Sequence, residues 1–346
     1  MKIAILCPTL FTFQGVSRLA WQQAEELTAL GNEVTIFALK ANMRPPNNVH
    51  LQILGMPNSF VMQRAYRLLF PLDIVKMIKW VPKIKGFDEI YCYEYPLTWL
   101  GYFGKKLYKE KYIFYNTHFN PPEAFPNLIE RTYVKFRFML EKYTIKRADA
   151  AISISKYSKN QLKNIMGLDS EVIYINIDKQ RFHLGIDGTR VREKYDLSNN
   201  PIVLFVGHIS PNKGVHLLIG AFNLVSKKIP NARLVIVGKH HYSNYSRDLA
   251  KISDSSIIFV GDVSDEDLPS YYAACNVYAT ASLWEGFDMP VAEAQACGKP
   301  VVAFDIGSHP EVVKVGVAGK LVPVGDTKAM AEAILGFIKL PIGEEG

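Results

Sequence analysis

Short apolar runs that read as buried strands alternate with amphipathic helical stretches, and the alternation runs twice along the chain. In the first pass residues 3–6 form a strand and 16–30 show helical spacing through Leu19, Ala20, Gln23, Ala24 and Leu27. Gly31 stops that helix and 33–39 form the next strand. Further strands are expected at 50–54, 89–93, 112–116, 150–153 and 172–175. A turn-rich connection at 182–200 follows, and the pattern restarts with strands at 202–206, 233–237, 257–260, 276–280, 301–305 and 320–322. Strand–helix–strand order of this kind builds parallel sheets covered by helices on both faces. At 346 residues the chain exceeds one comfortable core. The expected fold is therefore α/β, with two doubly wound Rossmann-like domains at 1–182 and 183–346. They are expected to face each other across a cleft, with ligands at the carboxyl ends of both sheets.

A hydrophobic content of 49% with 12% aromatic residues excludes a disordered chain. The net charge of +7 is unevenly placed: residues 1–185 hold 25 Lys/Arg against 15 Asp/Glu, and the remainder 15 against 18. A basic first half suggests an anionic partner there, and membrane surface, anionic acceptor and nucleic acid all qualify on charge alone. The basic segments carry no nucleic-acid docking motif, so no nucleic acid is expected. Cys7, Cys92, Cys275 and Cys297 lack metal-ligand spacing and read as reduced core thiols of a cytoplasmic protein. Pro71, Pro82 and interspersed lysines break the most apolar stretch, so no transmembrane helix is expected, and the start of the chain reads as a first strand ending at Pro8 rather than as a signal peptide over 3–13.

The most informative run is 283–302, between two of the expected strands. Pro290 can open a short helix there and Gly298 can close it. Gly286, Phe287 and Asp288 then lie in the turn entering the helix, where backbone N–H groups favour an anion. Glu285 and Glu293 flank that turn. Amides for a diphosphate and carboxylates for ribose and hexose diols suit a nucleotide sugar; an ordinary strand–turn–helix with two solvated glutamates fits the spacing equally well. Lys213 stands at the start of a helix after Gly207, where a cation is unfavourable unless an anion joins it. A leaving diphosphate would be that anion. His118 ends a strand of the first domain, where a histidine can bond a sugar hydroxyl or be merely packed. Gly15, after Phe13 and Gln14, could bring amides close to a ligand or be a simple turn glycine. Residues 60–85 interleave Phe60, Tyr66, Leu69, Ile74, Ile78 and Trp80 with Arg64, Arg67, Lys76, Lys79, Lys83 and Lys85. Such a segment can lie in an anionic membrane interface through Arg64, Arg67, Lys76, Lys79, Trp80 and Lys83, or be a core-facing amphipathic helix with a solvated back.

With these residues in view, the chain resembles the retaining glycosyltransferases of family 4, which have the GT-B fold. Glu285-Gly286-Phe287 through Glu293-Ala294, continued by Cys297-Gly298-Lys299-Pro300-Val301-Val302, matches the family's E-x7-E signature. Val206-Gly207 with Lys213-Gly214, Gly238, 261–268, His118 and Gly15 support it. By that resemblance Glu285 would bind donor-sugar hydroxyls, Glu293 the ribose diol and Lys213 the diphosphate, helped by the amides near Phe287. His118 would contact the transferred sugar. The implied catalytic set is His118, Lys213 and Glu285. The implied donor-binding set is Gly15, Gly207, His208, Lys213, Gly286, Phe287, Asp288, Met289 and Glu293.

The chain departs from the family pattern at several positions. His208 stands where the family usually has an arginine, Asp288 replaces a common glycine and adds a negative charge, and Gln14 replaces the first glycine of a usual pair. The C-terminal crossover helix of relatives is expected to be missing after Gly346, through truncation or a different closure. The expected reaction moves a hexose-type sugar from a UDP- or GDP-sugar to an acceptor hydroxyl, lipid-linked or on a membrane glycolipid. No cofactor is expected beyond the nucleotide-sugar substrate. No metal is expected, because no Asp-x-Asp constellation is read after a strand and no His/Cys cluster is present. The expected location is cytoplasmic, peripheral on the inner face of the cell membrane. A nucleotide-sugar epimerase or hydrolase of the same architecture, and a non-catalytic sugar-nucleotide-binding protein, stay open as alternatives.

Overall fold

The computed structural model describes residues 1–11, 15–119, 122, 128–239, 243–316 and 318–339. The chain divides into two compact units, Met1–Ile175 and Asn176–Gly346. This division precedes the 182/183 boundary read from the sequence. Phe182 is buried in the core of the second unit with Ile177 packed against it, and Arg181 pairs with Asp265 at 2.6 Å. The stretch that looks like a connection is therefore already anchored in the second unit.

The first unit holds strands β1 (Lys2–Leu6), β2 (Thr9–Leu10), β3 (Glu33–Ala38), β4 (Lys40–Ala41), β5 (Val49–Ile53), β6 (Glu89–Cys92), β7 (Lys111–Asn116), β8 (Ala150–Ser153) and β9 (Glu171–Val172). Seven of them form one parallel sheet in the order β5-β3-β1-β6-β7-β8-β9, while β2 and β4 pair separately. Helices α1 (Gly15–Ala29), α2 (Phe60–Leu69), α3 (Ile74–Trp80), α4 (Thr98–Tyr108), α5 (Leu128–Ile145) and α6 (Lys156–Gln161) supply its cover. After a charged, exposed first residue, β1, β3 and β7 are buried along their length and mostly apolar, as a sheet covered on both faces requires.

Residues 60–85 do not form one helix. Pro71 and Pro82 interrupt them, so that 3-10 turns at Phe70–Leu72 and Val81–Ile84 follow α2 and α3. Asp73 restarts the helix by accepting a hydrogen bond from the Lys76 N–H at 3.1 Å. The kinked path turns Phe70, Met77, Trp80, Val81 and Ile84 into the core beside Leu6, Phe37, Ile90 and Tyr112. It leaves Val61, Met62, Leu69, Leu72, Ile74, Val75 and Ile78 exposed.

The second unit holds β10 (Ile202–Val206), β11 (Arg233–Val237), β12 (Ile257–Gly261), β13 (Val277–Thr280), β14 (Val301–Phe304) and β15 (Gly319–Val322). Its helices are α7 (Thr189–Lys194), α8 (Val215–Lys228), α9 (Ser243–Ile252), α10 (Leu268–Ala274), α11 (Met289–Ala296), α12 (His309–Val312) and α13 (Thr327–Lys339). The sheet is parallel in the order β12-β11-β10-β13-β14-β15. The strand that comes first in sequence, β10, lies inside the sheet, and the winding direction reverses between β10 and β13. In open α/β sheets that reversal opens a crevice at the carboxyl ends of the two strands. Leu218, Ile219 and Phe222 of α8 with Met330 and Ile334 of α13 cover one face. Tyr271 and Tyr272 of α10 with Val291 and Ala294 of α11 cover the other.

All four cysteines are buried and free. Burial pushes the Cys275 thiol up to about 12 and the Cys297 thiol to about 11, and raises Cys7 and Cys92 as well.

One carboxyl of the first unit is buried with little to hold its charge. Glu141 of α5 accepts the Tyr95 N–H at 3.1 Å, yet burial pushes its carboxyl up to about 7, offset only in part by Arg137. The folded state thus binds this proton more tightly than the unfolded chain, whose carboxyl keeps the ordinary value of 4.5. Stability from this group is fully present below that ordinary value and is lost as pH rises through the folded one. The wild type should therefore lose ~3 kcal/mol relative to Glu141→Gln between about pH 5 and about pH 8. Urea midpoints of both proteins at the two pH values measure it, and parallel behaviour would refute it.

Candidate active site

Three loops leave the carboxyl ends of adjacent strands in the second unit. Residues 207–214 follow β10, 281–288 follow β13 and 305–308 follow β14. They are locked together by their backbones. The Leu283 N–H donates to the Asn212 carbonyl at 2.8 Å, and the Ser308 N–H donates to the Glu285 carbonyl at 3.2 Å. Two glycines permit this approach. Gly214 has φ +61°, and a Cβ there would collide with the Ala281 carbonyl oxygen. Gly307 has φ +62°, and its Cβ would lie 2.5 Å from the Glu285 carbonyl oxygen. Only a residue without Cβ fits either position.

The locked loops bring four ionisable groups together. The Lys213 ammonium bonds Glu285 Oε1 across the β10 and β13 loops. Asp288 Oδ2 lies 2.9 Å from His309 Nε2, and His309 Nδ1 lies 2.7 Å from the Phe304 carbonyl oxygen. Burial pulls the Lys213 ammonium down, but Glu285 and Asp288 outweigh it and its pKa is raised. Burial and the neighbouring Asp288 raise Glu285, while Lys213 and His309 draw it back. For Asp288, burial is overcome by the bond to His309 and by the Lys213 charge, so its pKa is lowered. His309 is raised, because Asp288 and Glu285 outweigh its burial. Asp288 itself adopts a left-handed φ of +56°, which aspartate tolerates better than most residues, and so starts α11 in place of a glycine.

The ligand-type atoms of Glu285, Asp288 and His309 lie within 4.8 Å of one another. Within the cluster Lys213 bonds Glu285 and His309 bonds Asp288, so each of the two carboxyl groups already has a partner there. The Asp-x-Asp spacing also needs correction: Asp265-Glu266-Asp267 does follow β12. Its first carboxylate is held by Arg181 at 2.6 Å and its third residue directly precedes α10.

The other expected residues fall as follows. Gly286, Phe287 and Met289 are buried around the entry to α11. Gly207 closes β10, donating its N–H to the Val237 carbonyl at 3.0 Å, and His208 follows half-buried. Glu293, on α11, is buried, and its Oε2 accepts the Tyr272 hydroxyl at 2.7 Å. Gly15 and His118 belong to the first unit: Gly15 is the first residue of α1, with open space where a Cβ would be, and half-buried His118 follows β7. Phe13 and Gln14 lie outside the described residues.

Of the expected membrane contacts, Trp80 is a correction: it is 6% exposed and packs in the core, because Pro82 turns the chain inward just after it. Lys76 is also engaged internally, with the Tyr66 hydroxyl at 2.8 Å and the Gly55 carbonyl at 3.2 Å, and Arg64 pairs with Glu130 at 3.0 Å. Lys79 and Lys83 lie at the surface over the Trp80 ring.

Sequence reasoning missed His309, Gly307 and Tyr272. Gly307-Ser308-His309 after an expected strand offers a turn signal for the glycine, but nothing local marks the histidine as a partner of Asp288.

Two units, each built round a doubly wound parallel sheet, are the architecture of the GT-B glycosyltransferases, and known proteins of that class match the chain. The family model described as "Glycosyl transferases group 1" matches residues 187–345, and "Glycosyltransferase Family 4" matches 13–181. The chain therefore belongs to the family 4 glycosyltransferases. A GDP-mannose-dependent alpha-(1-6)-phosphatidylinositol monomannoside mannosyltransferase of Mycolicibacterium smegmatis is 29% identical over 201 residues, covering 54% of this chain and 52% of that protein. The chain thus aligns with about half the length of that relative. In three dimensions Anabaena Alr3699/HepE, solved with UDP and glucose, aligns over 98% of this chain and 90% of its own, with a TM-score of 0.79 and 21% identity. Sucrose-phosphate synthase of Thermosynechococcus elongatus aligns over 96% and 88%, with a TM-score of 0.82 and 22% identity.

Lys213→Met should strand the buried Glu285 charge and destabilise the second unit by ~3 kcal/mol, whereas Lys213→Met with Glu285→Gln should recover most of the loss. Chemical denaturation of the two variants gives the comparison, and equal stabilities would show that the pair carries no coupling.

Proposed function

We propose that the chain is a retaining glycosyltransferase that moves a hexose from a UDP- or GDP-sugar to an acceptor hydroxyl. The observation that carries this reading is the Lys213–Glu285 pair at the β10/β13 reversal, a cation and an acid fixed where a doubly wound sheet receives its ligand. HepE, solved with UDP and glucose, and the GDP-mannose-dependent relative support a nucleotide-sugar donor. In the proposed reaction the bond from the anomeric carbon to the diphosphate oxygen breaks, and one to the acceptor oxygen forms on the same face. A donor phosphate oxygen takes the acceptor's proton. Lys213 stabilises the departing diphosphate, aided by the backbone near Phe287, and Glu285 orients the donor hydroxyls. Glu293, on α11, is assigned to the ribose diol. His118 is assigned to the transferred sugar, and Gly15, Gly207, His208 and Met289 to the donor surface. No further cofactor or metal is invoked.

Calorimetric titration with UDP-, GDP- and ADP-sugars tests the donor. One of the UDP- or GDP-sugars should bind saturably, and Glu293→Ala should weaken it at least about tenfold. Absence of binding to every donor would remove the enzyme reading.

The acceptor is proposed to sit at an anionic membrane surface on the cytoplasmic side. Seven large apolar side chains of 61–78 are exposed beside Arg67, Lys79 and Lys83, a composition suited to a lipid interface. Among the described residues no helix is long and apolar enough to cross a membrane. Val75→Asp with Ile78→Asp should reduce co-sedimentation with anionic vesicles by about tenfold or more and leave nucleotide-sugar binding unchanged. Unchanged sedimentation would rule out this face as the contact.

A further inference from the structure

Both ring nitrogens of His309 face acceptors. Nδ1 is 2.7 Å from the Phe304 carbonyl oxygen and Nε2 is 2.9 Å from Asp288 Oδ2, and the residue is 0% exposed. A carbonyl oxygen only accepts, so Nδ1 must carry a proton. The contact at Nε2 holds one more proton, either on the nitrogen or on Asp288. Asp288 also faces the Lys213 charge and the Val291 N–H, which favour its carboxylate form. The second proton therefore belongs to Nε2, and the ring is a cation.

The groups packed round it complete the charge pattern. Asp288 and Glu285 face it from the β13 loop, the Phe304 carbonyl from β14, and Lys213 bridges to Glu285 from the β10 loop. The cluster thus holds two carboxylates and two cations. With a neutral ring it would hold two carboxylates against Lys213 alone, and would repel an anion at the place where the proposed diphosphate must approach.

We propose that His309 is a positioning residue, held as an imidazolium, which anchors Asp288 in its left-handed turn and offsets its charge so that a diphosphate can reach Lys213. The imidazolium stands on the two ring contacts and on the groups that hold Asp288 as a carboxylate, and the effect on diphosphate rests on the donor reading given above. Its raised pKa agrees with this assignment. The stabilising charge is fully present below the ordinary histidine value of 6.5 and is lost as pH rises through the folded one.

The ring state is read directly by long-range proton–nitrogen NMR on the full chain, with His309→Gln identifying the signal. Two protonated-type nitrogens at neutral pH are expected, and the pattern of a neutral tautomer overturns the proposal. The role toward anions is read by titrating UDP and GDP at several pH values. Wild-type affinity should fall as pH rises through the His309 transition. His309→Gln should bind about tenfold more weakly. Asp288→Asn with His309→Gln, which removes the charge His309 offsets, should return to within about threefold of wild type and lose the pH step. A merely structural histidine would lower the melting temperature of both variants without recovery of binding in the double variant, and that result overturns the charge role. If neither nucleotide binds the wild type, the donor reading falls and the diphosphate role with it, while the NMR result still decides the charge state of the ring.

Discussion

The Lys213–Glu285 ion pair joins loops 72 residues apart in the chain, and the geometry of the second unit follows from the need to hold it. Bringing two charges out of water is costly unless further bonds fix and balance them. The structure meets that demand with the β10/β13 reversal, which sets the two loops side by side, and with two glycines that let their backbones touch. It adds a second pair, Asp288 and His309, immediately beside the first. Remove the close approach at Gly214 or Gly307 and the charges would separate into solvent, where an exposed pair is worth little.

The amount of this that could be read from sequence depended on whether the signal was local. Strand positions followed from apolar runs because a parallel sheet buries both faces, and the expected strands at 202–206 and 233–237 coincide with β10 and β11. Glu285, Gly286 and Lys213 were legible from turn and helix-start chemistry. His309 was not, because its significance lies in Asp288, 21 residues away across a loop contact. Trp80 was misplaced for a related reason. Spacing distinguishes the two faces of a helix, but two prolines break this segment into short pieces with different facings, and the bends decide which side chains turn inward. The boundary near Ile175 was likewise hidden, since Phe182 looks like linker until its burial against the second sheet is seen.

The two units solve different problems with the same βαβ grammar. The second concentrates its polar chemistry at one crevice, with apolar helices covering both sheet faces. The first carries the excess of basic residues and an exposed apolar row on α2 and α3. Apolar exposure on that scale is a cost a freely soluble surface would avoid, and it distinguishes this face from scattered surface hydrophobics.

The buried cysteines have an unplanned use. Cys7 and Cys92 lie in the first unit, and Cys275 and Cys297 in the second. Closed, they are shielded and held as unreactive thiols, so a thiol reagent meets the folded chain as nearly inert. Each modification event then marks an opening, and the position of the label names the unit that opened. The native chain carries its own two-channel clock for the separate breathing of its halves, with no engineered probe needed to read it.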